Sequence, residues 1–488
     1  MLTLIFLSSG LFFGWSLGAN VGGNTWGTAV STRMVRFRTA ALIASIFIIL
    51  GAVISGEGAS DTLGKLGSVN EIAGAFMVVL SAAFTVFAMT RAHLPVSTSQ
   101  AIVGSIIGWN FFAGMLTDFT VLGKIVASWI TSLILAGIFA AILFLLMKKW
   151  LATLKISIFR MDTLTRIGLI VLGALGSYAL GANNIANVMG VFVPISPFKS
   201  LKFGIFELTS TELLFLLGGI AIAVGIFTYS KRVMMTVGQK VTRLTPQTAL
   251  VVIMATAVVQ LLFASQSLHN FLINNGLPAL PLVPVSSSQL VIGAILGIGL
   301  SGRERRNINL KILGRIASGW IMTPIIAAIV TFICLFILQN VFDQRVYRRV
   351  GYEINEVVAD RLARQNIEID VVELEGSYRN IYQMHKVLKK YNFDKATIAK
   401  ISEIGEVDVF SITNTARFQR KVARWFTAAE IQSIRRMENQ TFQHRWELLN
   451  ALQRVDRVWR AKKDEPESAR EARERKLEYI FNYFRVIQ

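Results

Sequence analysis

The amino-acid sequence predicts an all-α polytopic membrane protein with two inverted-topology repeats and broken helices, followed by a mainly helical soluble domain. Three observations support this prediction. The chain of 488 residues is 53% hydrophobic, a polar motif occurs twice in its first 340 residues, and only 8 of its 30 acidic residues lie there. The predicted parts are 1–147 (first membrane repeat), 148–165 (cytoplasmic linker), 166–340 (second membrane repeat) and 341–488 (C-terminal domain).

Long uncharged stretches indicate transmembrane helices, because about 17–25 apolar residues cross a bilayer as a helix. Ten crossings are predicted, at 2–20, 38–56, 72–90, 95–113, 119–147, 166–194, 212–229, 248–264, 284–300 and 316–339. Most Lys and Arg residues between these segments fall in loops that an outside N-terminus makes cytoplasmic, which is the usual charge asymmetry. We therefore expect a multi-pass protein of the cytoplasmic membrane with its N-terminus and its C-terminal domain extracytoplasmic.

Composition also excludes several classes of function. The net charge of +20 is explained in the membrane part by its basic loops, so a nucleic-acid partner is not expected. Cys334 is the only cysteine, which excludes a disulfide framework or a cysteine metal site. No nucleophile–base pair stands out, so we expect neither an enzyme nor a resident cofactor or metal.

The duplicated motif reads LPVSTSQ at 94–100 and VPVSSSQ at 283–289, and we call these segments the first and second serine motifs. Each contains a proline, which is tolerated at the start of a helix, and a Ser-x-x-Gln spacing typical of a capping box. Each motif is therefore predicted to begin a helix at membrane depth. Capped helices with no binding role would explain one such motif.

Two such helix starts in inverted repeats would point their N-termini at a common centre, and a helix N-terminus attracts anions. The motifs are accordingly interpreted as two halves of an anion site. Its candidate substrate-binding residues are Ser97, Thr98, Ser99, Gln100, Ser286, Ser287, Ser288 and Gln289.

A second pair of segments, LGANVGGN at 17–24 and LGANNIAN at 180–187, forms the first and second asparagine motifs. Their glycines are expected to allow local unwinding and close backbone approach. Asparagine both donates and accepts hydrogen bonds, although a role in helix–helix packing alone would also fit. The further candidate substrate-binding residues are Asn20, Asn24, Thr25, Asn183, Asn184 and Asn187. Five crossings per half would invert the second repeat, an arrangement typical of secondary transporters.

These motifs resemble the inorganic phosphate transporter (PiT) family, including its sulfate permease branch, over residues 1–340. The family pattern is GANDVAN followed by a Gly-Thr-Ala stretch, with PVSTTH opening a later helix in each half. Here Val21 and Asn184 replace the two family aspartates, and Gln100 and Gln289 replace the histidines. The resemblance implies anion transport coupled to a cation, with the aspartates serving cation and substrate binding. A coupling ion, Na⁺ or H⁺, is therefore possible but has no carboxylate ligand here.

The absence of both aspartates favours sulfate as the substrate, whereas the resemblance to the family favours phosphate, and the two arguments have about equal weight. Hydrogen phosphate has an O–H that a carboxylate can accept, whereas sulfate needs only donors. The predicted function is a permease for an inorganic tetrahedral oxyanion, sulfate or phosphate, working in the lipid bilayer. The alternatives are an anion-selective channel and a non-transporting anion sensor that signals through the C-terminal domain. A homodimer is possible by analogy.

The C-terminal domain carries no motif that names an activity. Apolar residues spaced three or four apart predict one amphipathic helix over 427–463 and another over 465–484. His385 and His444 are expected to be surface or core histidines rather than metal ligands.

Overall fold

The computed structural model of the chain divides into two compact units, residues 1–348 and 349–488. It describes residues 2–67, 69–91, 96–115, 117–153, 157–198, 201–203, 206–236, 245–301, 310–348, 351–365, 367–378, 381–391, 393, 395–422, 425–460, 473, 476–477, 479–481 and 483–486. Of the predicted features, Pro95, the basic loops at 237–244 and 302–309, and residues 461–472 lie outside the described residues.

Helices dominate the first unit. In chain order they are α1 (Leu2–Ser31), α2 (Phe37–Ser55), α3 (Glu57–Leu66), α4 (Ile72–Arg91), α5 (Thr98–Ala113), α6 (Phe119–Thr153), α7 (Ile158–Met189), α8 (Ser210–Thr236), α9 (Pro246–Ala264), α10 (Gln266–Asn274), α11 (Ser287–Ser301) and α12 (Leu310–Asn340). A 3₁₀ segment, Gly190–Ile195, and an antiparallel strand pair, β1 (Leu201–Phe203) and β2 (Phe206–Leu208), follow α7. Among the described residues, eight helices are long and apolar enough to cross a membrane. The chain is thus a multi-pass, all-α membrane protein in this unit, as predicted.

The remaining two predicted crossings, 95–113 and 284–300, correspond to the shorter helices α5 and α11. They have 16 and 15 residues, or about 24 and 22 Å at 1.5 Å per residue, less than the roughly 30 Å of a hydrocarbon core. Both begin in the serine motifs, and residues 275–286 ahead of α11 are not helical. Each of these helices covers only part of the membrane thickness, as a broken helix does.

The first and last halves of the unit repeat one close helix contact. A Cβ on Gly18 of α1 would lie 2.0 Å from the Ile222 carbonyl oxygen of α8. In the same way, a Cβ on Gly181 of α7 would lie 2.1 Å from the Ile48 carbonyl oxygen of α2. Real Cβ atoms do not approach backbone so closely, so both positions require glycine for the helices to touch.

The helices that begin in the serine motifs repeat a second contact. Gly104 of α5 lies against the carbonyl of Pro324 in α12, and Gly293 of α11 lies against the carbonyl of Leu133 in α6. A Cβ would be 2.2 Å from the carbonyl oxygen in both cases. The internal duplication read from the sequence is therefore also a duplication of packing, with each half supplying the partner helix of the other.

One expectation about local structure is wrong. The asparagine motifs do not unwind, because α1 continues through 17–24 and α7 through 180–187 as unbroken α-helix. Their glycines serve close packing instead of backbone strain. The predicted linker 148–165 is mostly helical as well, since α6 continues to Thr153 and α7 begins at Ile158. Ser157 caps α7 by accepting a hydrogen bond from the backbone N–H of Arg160 (3.4 Å).

The second unit combines short helices with small antiparallel sheets. Its elements are β3 (Gly351–Ile354), α13 (Glu356–Ala363), α14 (Val371–Leu374), β4 (Gly376–Tyr378), α15 (Ile381–Leu388), α16 (Lys395–Gly405), β5 (Glu406–Val407), β6 (Phe410–Ser411), α17 (Thr415–Val422), α18 (Ala428–Arg435), β7 (Thr441–Phe442) and α19 (Arg445–Val455). Strand β3 pairs with both β4 and β5, and β6 pairs with β7. Residues 341–348 belong by contact to the first unit, where Trp109 Nε1 donates to the Val346 carbonyl (3.0 Å).

The helix predicted over 427–463 is wrong as a single element. It consists of α18, a turn through Asn439 with φ 68°, strand β7 and then α19. Met437 and Leu448 nevertheless lie in one apolar core. The apolar spacing therefore predicted correctly that these side chains are buried, although the chain turns between them. His444 is buried, and its Nδ1 lies 2.7 Å from the Glu406 carbonyl oxygen. His385 Nε2 lies 2.9 Å from Ser402 Oγ.

Candidate functional site

The N-terminal ends of α5 and α11 meet inside the first unit. Ser99 Oγ donates to the carbonyl of Val285 (3.2 Å), and Ser288 Oγ donates to the carbonyl of Val96 (3.5 Å). Both serines hold the third polar position of their motif, and both valines precede the first serine. The two motifs therefore hold each other by reciprocal bonds, and the positive ends of two helix dipoles lie together.

The first serine of each motif caps its own helix. Ser97 Oγ accepts from the backbone N–H of Gln100, and Ser286 Oγ accepts from that of Gln289, each at 3.4 Å. The expected capping boxes are only half formed. The side-chain oxygens Oε1 of Gln100 and Gln289 are buried and have no hydrogen-bond partner among the described residues.

The second asparagine motif is fixed to the serine motifs. Asn183 makes two bonds to the backbone of Val285: its Nδ2 donates to the carbonyl and its Oδ1 accepts from the N–H, both at 2.8 Å. Asn184 Nδ2 donates to Ser287 Oγ (3.2 Å), and Asn187 Nδ2 donates to Ser99 Oγ (2.9 Å). All three asparagines are at most 1% exposed. The structure thus brings these predicted residues into one buried network with both serine motifs.

The first asparagine motif lacks this attachment. Asn20 and Asn24 are half-buried, and no hydrogen bond joins Asn20 to Val96, although the structure describes both residues. Thr25 lies beside Gly176, which precedes Asn183 by seven residues, or about 10 Å along α7. Thr25 is therefore not brought to the serine motifs. Thr98 is half-buried at the first position of α5.

Gln260 belongs to the network but was not predicted from the sequence. It lies on α9, is 4% exposed, and donates from Nε2 to Ser287 Oγ (2.8 Å). The available signal was a single amide in the apolar run 248–264, and such a residue is costly in a membrane unless it is bonded. Its partner could not be named without the fold.

The network is neutral, and the hydrogen-bonding groups that it leaves without partners differ from those expected. Within the described residues its hydrogen bonds join Ser, Asn and Gln side chains and backbone groups, none of which titrates near neutral pH. The sequence predicted a site that has lost the acceptors of the two family aspartates and has kept its donors. Instead, Gln100 Oε1, Gln289 Oε1 and Asn187 Oδ1 are buried acceptors without partners in the described part of the chain. Clusters of three or more His, Cys, Asp or Glu side chains suited to a metal are absent from the same residues.

Comparison with known proteins identifies the family to which this chain is similar. The model of the phosphate transporter family matches residues 17–331 and, in a second match, 271–487. The chain belongs to the phosphate transporter family. The second match reaches into the C-terminal unit, which the resemblance of the motifs did not. Membership confirms that the chain is a transporter-family protein rather than an enzyme.

Individual relatives agree with this assignment. A protein of Methanocaldococcus jannaschii named "Putative phosphate permease" is 28% identical over 317 residues, covering 65% of this chain and 91% of the relative. One of the same description from Pyrococcus abyssi is 26% identical, covering 69% and 97%. The solved structure titled "The sodium-dependent phosphate transporter" shares the fold with a TM-score of 0.56 at 24% identity, covering 70% of this chain and 99% of that one.

Proposed function

We propose that the chain is a secondary transporter that carries an inorganic tetrahedral oxyanion across the cytoplasmic membrane, with phosphate as the first candidate and sulfate as the second. The observation that carries the proposal is the meeting of two helix N-termini, tied to each other by Ser99 and Ser288. Backbone N–H groups and the helix dipoles favour a dianion there without any fixed positive charge.

Inversion of the second repeat is supported by the reciprocal contacts. Ser99 bonds the motif of α11 as Ser288 bonds the motif of α5, and each half supplies the glycine-contacting helix of the other. Such exchange is expected of two repeats related by a pseudo-two-fold axis, and with five crossings per repeat that axis would lie in the membrane plane. The anion would then lie near mid-membrane, where rocking of one repeat against the other exposes it alternately to each side.

Positions within the serine motif divide the work of the hydroxyls. The first serine caps its helix and the third ties the two motifs, as the bonds of Ser97 and Ser99 illustrate. The middle positions, Thr98 and Ser287, perform neither task. We assign to these two hydroxyls the direct contacts with the anion, one from each repeat.

The substrate choice depends on the unused acceptors. The buried oxygens of Gln100 and Gln289 can accept the proton of hydrogen phosphate, a bond that sulfate cannot offer. This favours phosphate and agrees with the names of the relatives. Sulfate stays the second candidate because Val21 and Asn184 replace the family's aspartates, so the strong acceptors of that family are missing.

A coupling sodium ion fits the same oxygens. Gln100 Oε1, Gln289 Oε1 and Asn187 Oδ1 are buried and unpartnered in the described residues, and neutral oxygens of this kind coordinate Na⁺ in transporters with broken helices. Coupling to protons is less suited, because the described side chains of the network include no titratable group. The charge distribution supports an extracytoplasmic N-terminus and C-terminal domain. Labelling of Lys463 from outside intact cells tests this orientation, and protection of Lys463 from the label would contradict it.

The test of the proposed function is uptake of labelled phosphate and labelled sulfate, measured side by side in proteoliposomes with and without a sodium or proton gradient. We expect saturable uptake of phosphate that a sodium gradient accelerates. Sulfate uptake with weak phosphate competition would instead select the second candidate. Conductance without saturation would favour a channel, and binding without uptake a sensor.

A further inference from the structure

We propose that Gln260 is a positioning residue that forces the hydroxyl of Ser287 to act only as a hydrogen-bond donor towards the anion. This inference rests on the proposed function. Ser287 Oγ accepts from Gln260 Nε2 (2.8 Å) and from Asn184 Nδ2 (3.2 Å). A hydroxyl oxygen has two lone pairs and one proton. With both lone pairs engaged by amide donors, the remaining capacity of this hydroxyl is its proton.

The orientation of the Asn184 amide is fixed by further bonds. Asn187 Nδ2 donates to Asn184 Oδ1 (3.3 Å), so the nitrogen of Asn184 is the end that faces Ser287. Asn184 Nδ2 also donates to the Leu180 carbonyl (3.0 Å), one turn back on α7. Gln260 adds the second donor from a different helix, α9. Two elements therefore hold one hydroxyl in a single hydrogen-bonding role.

The proton of Ser287 has no acceptor among the described residues. The neighbouring hydroxyls do have hydrogen-bond partners. Ser286 Oγ and Ser288 Oγ lie 3.0 Å apart, and Ser99 Oγ donates to the Val285 carbonyl. Ser287 is 8% exposed, which leaves its proton a path to a bound ion. A hydroxyl restricted to donation suits an oxyanion and rejects a cation.

The matching position in the first repeat is not restricted in this way. Thr98 aligns with Ser287 at the constant offset of 189 between the motifs, but no described residue donates a hydrogen bond to its hydroxyl. Thr98 can therefore donate or accept. The second repeat supplies a committed donor, and the first an adaptable hydroxyl that can also meet a proton-bearing phosphate oxygen.

The test measures binding of labelled phosphate and sulfate to the purified full-length protein, so that it does not depend on transport. Gln260→Met removes the donor while keeping a similar shape. We expect a Kd up to about tenfold weaker, because Gln260 acts only through Ser287 and the loss should not exceed that of one hydrogen bond to an ion, with little change in thermal unfolding. Gln266→Met, an exposed glutamine of α10, is the control and should bind as the wild type does.

A double-mutant comparison separates positioning from general damage. If Gln260 acts through Ser287, then Gln260→Met in a Ser287→Ala background should weaken binding no further. Gln260→Glu gives a second readout, because an ionised carboxylate accepts the Ser287 proton and turns it from the anion, whereas a protonated one can donate again. The affinity of this variant for the anion should increase as the pH falls, and this increase should be larger than any change in the affinity of the wild type over the same pH range.

The outcomes separate this inference from the proposed function. Three results would each overturn the role of Gln260 while leaving an oxyanion transporter intact. They are an unchanged Kd in Gln260→Met, a Kd in the double variant weaker than in Ser287→Ala alone, and a pH dependence of binding in Gln260→Glu that is the same as in the wild type. Failure of the wild type to bind either anion would overturn both.

Discussion

The two serine motifs are nearly the same in sequence, yet among the described residues more side chains from other helices bond the second motif than the first. Asn183, Asn184 and Gln260 bond the second motif directly. The equivalent Asn20 makes no bond to the first motif's Val96 within the described residues, and Thr98 has no counterpart of Gln260. Helix packing is duplicated, whereas the polar network is not. A shared scaffold thus carries two serine motifs with unequal hydrogen bonding in the described residues.

The largest effect should come from the shared scaffold. Gly18→Ala and Gly181→Ala each place a Cβ within 2.1 Å of a backbone carbonyl oxygen, so the helices must separate. We expect each to lower the free energy of unfolding by about 3 kcal/mol or more, to a similar extent, in thermal unfolding of the purified protein. Gly123→Ala, where a Cβ meets nothing within 4 Å, is the control. A loss in only one half would show that the packing is not equivalent.

The next effect should separate the halves. Asn183→Ala leaves the N–H of Val285, a fully buried residue, without a partner, while the Val285 carbonyl keeps only the bond from Ser99 Oγ. That change should cost about 1–3 kcal/mol, the penalty for one unsatisfied buried group. Asn20→Ala should change stability by only about 0.5 kcal/mol. Equal losses in the two variants, measured by the same unfolding assay, would mean that the first motif is held as firmly as the second.

A third comparison concerns uptake. Asn184→Ala removes a donor to Ser287, and Ser288→Ala removes a tie between the motifs. Each should reduce initial uptake by up to about tenfold, since a neutral hydrogen bond contributes about 0.5–1.5 kcal/mol. Val21→Ala, at the position of the other family aspartate, should change uptake much less. Equally small effects in proteoliposomes would place the anion site elsewhere.

Sequence reasoning located the serine motifs because their signals are local. A proline, a capping serine and a repeat at constant offset predict two helix starts without knowledge of the fold. Gln260 and the one-sided network escaped it, since the partner of Gln260 is 27 residues away and depends on how α9 packs. The unbroken α1 and the turn at Asn439 escaped for a related reason: glycine and apolar spacing are compatible with more than one backbone path, and tertiary packing selects among them.

The smallest effect should again be the same in both halves. Ser97 and Ser286 cap α5 and α11 through contacts of 3.4 Å, near the long limit for a hydrogen bond. Ser97→Ala and Ser286→Ala should each cost about 1 kcal/mol, the usual value of an N-cap. Ser286 also lies 3.0 Å from Ser288 Oγ, so a slightly larger loss there is expected. If Ser97→Ala cost more than Ser286→Ala in thermal unfolding, the first motif would have structural importance beyond its cap, and the assignment of the firmly held half-site to the second repeat would have to be reversed.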